Sequence, residues 1–358
     1  EHRNGTIFTE EAYKQGVRNF VLQESVDTEK YKDANFLLVE DVLQALQQLA
    51  AFHRAQFHYP VAGITGSNGK TIVKEWLYFL LNDSYKIIRS PRSYNSQIGV
   101  PLSVWEMSDD YDLGIFEAGI SEMNEMENLE KIIQPEIGII TNIGDAHEKG
   151  FTSKQRKLEE KVRRFQHSKV VFANADDDQI ISTLKKKTSA QIFSYGKSEN
   201  ATLKIVDIKK ELKQTTIIAY YQSKETIITI PFVDDASVQN ACVCWLAALY
   251  FNLDKNIIRQ KMLQLPAIDM RLQVLPAINN CTVINDSYSL DIDSLSVALD
   301  LLNQQLLSKT LILSDFYNDD RKNYDTAMDI LSNKKINRLI TIGKKWQQYK
   351  TELHDKIA

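Results

Sequence analysis

Apolar positions in this chain fall into short runs and helical stripes that alternate along most of its length. Val61–Thr65 is a short, mostly apolar run, and Val73, Trp76, Leu77 and Leu80 recur at the spacing of one helix face. The pattern predicts a strand over 61–65 and a helix over 70–81. It also predicts strands at Leu113–Glu117, Glu136–Asn142 and Val170–Ala173, and a helix over Ser153–Gln166. Alternation of this kind makes a mostly parallel sheet wrapped by helices. Ahead of this block, Phe20–Leu22 and Phe36–Val39 read as short strands with a helix at about 9–16, and Val42, Leu43, Leu46, Leu49 and Phe52 mark an amphipathic helix over 41–56. Behind it, Leu203–Ile208, Thr215–Tyr221 and Thr226–Pro231 predict an antiparallel insert or edge, then a helix at 237–251. A new unit starts after Pro266: strand Cys281–Asp286, helix Ser294–Asn303, strand Thr310–Ser314, helix Tyr324–Ser332 and strand Arg338–Ile342, with one more helix after it.

At ~150 residues per domain, a chain of 358 residues predicts two to three domains. The composition, 43% hydrophobic and 25% charged, is that of a soluble globular protein rather than a disordered one. A net charge of -4 with no block of Lys or Arg argues against a nucleic-acid or membrane-surface partner. No apolar run approaches the ~18 residues that span a bilayer. Three cysteines, Cys242, Cys244 and Cys281, cannot form a paired framework, and C-x-C alone is no zinc site. They read as reduced core thiols of a cytoplasmic protein. Residue 1 is Glu, no signal peptide follows, and the last strand leaves a parallel sheet unfinished, so the chain reads as a fragment cut at both ends.

The strongest chemical signal is Gly63-Ile64-Thr65-Gly66-Ser67-Asn68-Gly69-Lys70-Thr71, set between the apolar strand and the apolar-striped helix. Glycines let backbone N–H groups turn onto phosphate oxygens, and the helix N-terminus adds its dipole. Lys70 can neutralise terminal phosphates, and the Thr71 hydroxyl can ligate Mg²⁺. Ile64 stands where the generic G-x-x-x-x-G-K-[ST] pattern has its first glycine, so the motif present is T-G-x-x-G-K-T.

Thr65-Gly66-Ser67-Asn68-Gly69-Lys70-Thr71 resembles the phosphate loop of the Mur ligase superfamily, which includes folylpolyglutamate synthetases. Further stretches carry the resemblance across essentially the whole chain. Ser93-Tyr94-Asn95-Ser96-Gln97-Ile98-Gly99-Val100-Pro101 looks like the loop that approaches the terminal phosphate and the acceptor substrate. Phe116-Glu117-Ala118-Gly119 looks like the strand ending in a Mg²⁺-binding glutamate. Thr141–His147 is similar to the segment ending in a metal-binding histidine, and Asn174-Ala175-Asp176-Asp177 to a stretch near the nucleotide base. Arg271 and Asp286-Ser287-Tyr288 resemble elements of the third domain. The I-G-V-P and D-S-Y wording is closest to the member that adds D-alanyl-D-alanine to UDP-N-acetylmuramoyl-tripeptide. It looks like the form fused in some bacteria to a C-terminal alanine racemase, a sequence not present here.

The resemblance implies an α/β fold: a partial UDP-substrate-binding domain (1–57), a central P-loop ATPase domain with a mostly parallel sheet (58–270) and an incomplete Rossmann-like C-terminal domain (271–358). It implies an ATP-dependent ligase of peptidoglycan precursor synthesis, working through an acyl-phosphate with two Mg²⁺ ions. ATP would be held by Thr65–Thr71, Asn174, Asp177, Asn240 and Arg271, and the metals by Thr71, Glu117, His147 and Lys161. Lys70, His147 and Lys161 would be catalytic, and Asn95, Ser96, Asp286 and Tyr288 would meet substrate. The implied role of Lys161, four residues before Phe165, is to carry a CO₂-derived carbamate; Lys157 competes for that assignment. Without the resemblance, Lys161 reads as part of a solvated Lys/Arg/Glu-rich helix face.

Two motifs depart from the family pattern. H-N-x-x-N reads Ala236-Ser237-Val238-Gln239-Asn240, and D-S-Y-N reads Asp286-Ser287-Tyr288-Ser289. Other readings stay open: a folylpolyglutamate synthetase-like ligase, a non-catalytic nucleotide-binding remnant, or a mechanical or regulatory P-loop ATPase. Against the last stands the lack of a strand ending in consecutive acids.

Overall fold

Every residue of Val61–Thr65 is buried, as a strand covered on both faces requires. It is one of nine strands in the sheet that organises the molecule. The computed structural model describes residues 4–120, 125–144, 153–288, 290–316 and 320–357. Near the N-terminus, β1 (Asn19–Leu22) and β2 (Asn35–Leu38) pair in parallel, apart from the main sheet. The main sheet comprises β3 (Val61–Thr65), β4 (Ile87–Arg89), β5 (Leu113–Glu117), β6 (Ile137–Ile140), β7 (Val170–Asn174), β8 (Gln191–Gly196), β9 (Leu203–Lys210), β10 (Thr215–Tyr221) and β11 (Lys224–Ile230). Their spatial order is β11-β10-β9-β8-β7-β6-β3-β5-β4.

From β4 to β9 the pairing is parallel, and β10 runs antiparallel to both neighbours, so the predicted antiparallel segment forms one edge of the same sheet. The chain leaves β3 for β4 on one side and passes from β5 to β6 on the other. Such a reversal opens a crevice beyond the carboxyl ends of the strands, where α/β sheets receive ligands. In register, Ile64 lies beside Glu117 and Thr65 beside Ile140, so both neighbours end level with the Thr65–Lys70 turn.

One sheet face is closed by the helices Lys70–Leu81 and Asp235–Tyr250, through Trp76, Leu77, Leu80, Cys244 and Trp245. Against the other lie Val42–Arg54, Gly99–Val104 and Glu125–Ile133 near β5, and Lys154–Arg163 and Asp178–Lys187 near β7. The third unit has its own core around Leu299, Tyr324, Met328 and Trp346. It carries the antiparallel pair β12 (Gln273–Pro276) and β13 (Thr282–Asn285) and the parallel pair β14 (Thr310–Ser314) and β15 (Arg338–Ile342).

Two expectations need correction, and two strands had escaped the sequence reading. Cys281 is exposed, so only Cys242 and Cys244 are core thiols. Two short helices, Lys344–Gln348 and Lys350–Ile357, follow β15 instead of one, because Tyr349 leaves helical geometry between them (φ -94, ψ 11). Strands β4 and β8 had no distinct pattern; β4 is only three residues long. Among the described residues, no helix is long and apolar enough to cross a membrane.

Candidate active site

The turn after β3 is braced from β6. Ser67 N–H donates to Asn142 O at 2.9 Å, and Asn68 N–H donates to Asn142 Oδ1 at 3.0 Å. The Thr141 hydroxyl donates to Asn68 O at 2.6 Å, and Gly144 N–H donates to Ser67 Oγ at 3.0 Å. Thr65 fixes the other side by donating its hydroxyl to Ala118 O at 3.0 Å. Lys70 opens the helix and folds back over the loop, its Nζ donating to Gly66 O and Ser67 O, each at 2.8 Å. The loop therefore presents a fixed cation and a helix N-terminus toward the crevice, an arrangement suited to phosphate.

Gly66 permits this path. Its φ is +146°, and a Cβ there would lie 1.9 Å from Thr141 Oγ1. Gly66→Ala combines a disfavoured backbone with a steric clash, and is expected to destabilise the fold by about 2–4 kcal/mol. It should also weaken ADP binding at least ~10-fold, because the braced loop must move. Thermal unfolding and ADP titration check both. Wild-type values in both would mean that the loop accommodates a side chain, contrary to this geometry.

One helical step further in lies the buried carboxylate of Glu117. Its Oε2 accepts from the Thr71 hydroxyl at 3.1 Å and from Asn95 Nδ2 at 3.3 Å, and Thr71 Oγ1 also meets Ser93 Oγ at 2.9 Å. Its Oε1 faces Lys74 Nζ at 3.0 Å; the contact is charge to charge, without an aligned hydrogen bond. Oxygens about 3 Å apart have the spacing of neighbouring ligands around Mg²⁺ held at ~2.0–2.1 Å. Thr71 and Glu117 thus form a hard oxygen set that fits Mg²⁺. Among the described residues there is no cluster of three acidic, His or Cys side chains for a metal, so such a cation would draw further ligands from phosphates and water.

Beneath this site lies a group of buried cations. Arg164 is fully buried and donates from Nη2 to Phe116 O at 3.0 Å, one residue before the carboxylate. Burial lowers its pKa to about 9, with Glu130 and Glu117 acting in opposition, so the guanidinium stays charged at neutral pH. Gly63 makes room for it, since a Cβ there would lie 2.5 Å from Arg164 Nε. Lys161 is 1% exposed and donates from Nζ to Gly66 O at 3.0 Å, so its expected solvated face is instead a contact under the loop. Lys157 and Glu160 on the same helix are buried too. His147 lies outside the described residues, as does Ser289.

Two clefts flank the loop. One, of about 450 Å³, is lined by Thr141, Asn142, Asn174, Asp177 and Gln239 among others. Asn174 Oδ1 accepts Asp176 N–H at 2.9 Å, and Asp177 caps the helix Asp178–Lys187 by accepting Ile180 N–H at 3.0 Å. The buried Asn240 packs its amide against Gly69. The second cleft, about 190 Å³, brings Ser67–Thr71 together with Asn95, Arg271 and Tyr288. Arg271 stacks on Tyr288 at 4.0 Å. Asp286 accepts Leu272 N–H at 3.1 Å and is pushed up in pKa by burial, while Ser96 Oγ accepts Gly99 N–H at 3.1 Å.

Sequence reading missed Lys74, Ser93 and Arg164. A signal existed for Lys74: it lies one turn after Lys70, on the same side of the helix as the loop's own lysine. None existed for Arg164, which sits in a run of charged residues that reads as solvated.

Comparison with known proteins bears on this arrangement. The Mur ligase middle domain is matched by residues 64–248. UDP-N-acetylmuramoyl-tripeptide–D-alanyl-D-alanine ligase of Bacillus subtilis is 28% identical over 303 residues, covering 84% of this chain and 65% of that protein. The chain thus spans a little under two thirds of that relative's length. A crystal structure of MurF from Acinetobacter baumannii superposes with a TM-score of 0.85 at 22% identity, over 97% of this chain and 77% of that one. The MurF ligase of Thermotoga maritima, solved in complex with ADP, gives a TM-score of 0.81 at 18% identity, over 99% and 86%. Likeness at that identity shows a common fold. The matched segment runs from within β3, through the phosphate loop and Glu117, to the helix that packs behind them, and takes in over half of the residues: the chain belongs to the Mur ligase family.

Proposed function

We propose that this chain is the ATP-using part of a cytoplasmic ligase that adds D-alanyl-D-alanine to UDP-N-acetylmuramoyl-tripeptide through an acyl-phosphate, in peptidoglycan precursor synthesis. One observation carries the reading: Lys70, Thr71, Asn95 and Glu117 meet at the carboxyl end of the parallel sheet, beside a cleft that Arg271 and Tyr288 complete. Support comes from the names of relatives such as the Bacillus subtilis ligase. The proposed division is 1–57 for UDP-substrate binding, 58–270 for ATP and 271–358 for the closing domain.

In this reading, Lys70 and the loop N–H groups hold the β- and γ-phosphates, with Asn174, Asp177 and Asn240 on the nucleotide's other parts. Thr71 and Glu117 would hold Mg²⁺, which when bound offsets phosphate charge. A second Mg²⁺ would involve His147 and a carbamate on Lys161. A tripeptide carboxylate oxygen attacks the γ-phosphorus as the bond to ADP breaks. The amine of the dipeptide then attacks the acyl carbon, loses a proton, and phosphate leaves. Positioning and electrostatics supply the rate: Lys70 stays over the transferring group, Asn95 and Ser96 orient the acceptor, and Arg271, Asp286 and Tyr288 close over it.

With ¹⁸O in the tripeptide's reacting carboxylate, one labelled oxygen should appear in the released phosphate. Label in AMP, with pyrophosphate released, would replace this mechanism with an adenylate. No ATP consumption with both substrates present would favour the remnant reading.

A further inference from the structure

The helix that begins with the phosphate-loop lysine buries a second lysine, Lys74, one turn later. It is 0% exposed, as is its partner Glu117, with Nζ and Oε1 3.0 Å apart. The same ammonium donates to Ser90 O at 2.8 Å and to Arg92 O, and lies 3.0 Å from Glu75 Oε1. The ammonium thus makes two backbone hydrogen bonds and two charge contacts, and it is fully shielded from water. Ser90 and Arg92 form the base of the segment that carries Ser93 and Asn95, and the Ser90 hydroxyl also accepts Glu117 N–H at 3.1 Å. Lys74 therefore connects the base of that segment to the carboxylate at the end of β5.

We propose that Lys74 is a positioning residue that holds Oε1 of Glu117 so that only Oε2 is offered, beside Thr71, to the divalent cation of a bound nucleotide. A carboxylate fixed at one oxygen binds a metal through the other alone, whereas a free one can rotate or chelate. Lys74 is fully buried and takes no part in the lining of the cleft beside the loop, so it acts on the cation through Glu117. This inference rests on the nucleotide-and-Mg²⁺ reading above.

The test uses the full chain, ADP and Mn²⁺ as the probe, with bound metal followed by electron paramagnetic resonance. Lys74→Met should weaken Mn²⁺ binding to the ADP complex at least tenfold, while ADP affinity in EDTA changes less than threefold. A second comparison stands even if Lys74→Met does not fold: Glu117→Gln against the double variant Lys74→Met/Glu117→Gln, which buries no lone charge at this pair. Since Lys74 acts through Glu117, the two should bind Mn²⁺·ADP equally within twofold. Wild-type Mn²⁺ affinity in Lys74→Met, or a further tenfold loss in the double variant, overturns the proposal for Lys74 and leaves the functional reading intact. Failure of the unsubstituted chain to bind Mn²⁺·ADP overturns both.

Discussion

Lys70→Ala is expected to remove detectable ATP turnover, a loss of at least ~10²-fold, while the fold survives. Its Nζ rests on the carbonyls of Gly66 and Ser67, over the loop where phosphate charge would collect. A cation pre-set there stabilises charge that moves during phosphoryl transfer, and removing one such group typically costs ~10²–10³ in rate. Stability should change by no more than about 1 kcal/mol, since the side chain is only partly buried and the loop's braces come from Thr141 and Asn142. Turnover is read by ADP release with tripeptide and dipeptide present, and the fold by thermal unfolding. Unchanged turnover in a folded variant would exclude the loop from the reaction.

Lys161→Ala has the second largest expected effect and separates the loop contact present in the structure from the carbamate proposed above. Lys161 Nζ donates to Gly66 O, so it could simply support the loop from below. If support were its whole role, alanine would weaken ADP binding and ligation alike. If it carries a carbamate, ligation should fall ~10²-fold or more while ADP binding stays within about threefold, because the lost anion serves the acyl-phosphate step. Acetate or propionate should then restore part of the activity by occupying the vacated anion position. Lys157→Ala, although that residue is also buried, should show no such rescue. Parallel losses in binding and ligation, with no response to short acids, would assign Lys161 a supporting role only.

What was legible in the sequence follows the range of the forces involved. β3, the phosphate-loop helix, β5, β10, β14 and β15 are encoded by local patterns, and their bounds agree with the reading residue for residue. The loop's chemistry was legible for the same reason, since one segment supplies glycines, lysine and threonine in order. The buried charges were not. Lys74 and Arg164 look like solvated helix charges in one dimension, apart from the one-turn spacing of Lys74 from Lys70, and Lys157 and Lys161 stand out only through the family resemblance; the burial of all four appears only in the folded chain. Burying a charge costs free energy unless partners are assembled around it, and those partners come from distant segments: Ser90 and Glu117 for Lys74, Phe116 for Arg164, Gly66 for Lys161. The edge strand β4 was lost for a different reason, because three residues are too few to show a period.

The smaller cleft has walls contributed by parts of the chain two hundred residues apart, Lys70 on one side and Arg271 with Tyr288 on the other. A molecule seated between them works as a removable cross-link between the sheet and the third unit. Its binding and the docking of that unit are then linked equilibria, so each favours the other by the same free energy. A substitution on the third unit that weakens its docking would therefore weaken the binding of such a molecule without touching it.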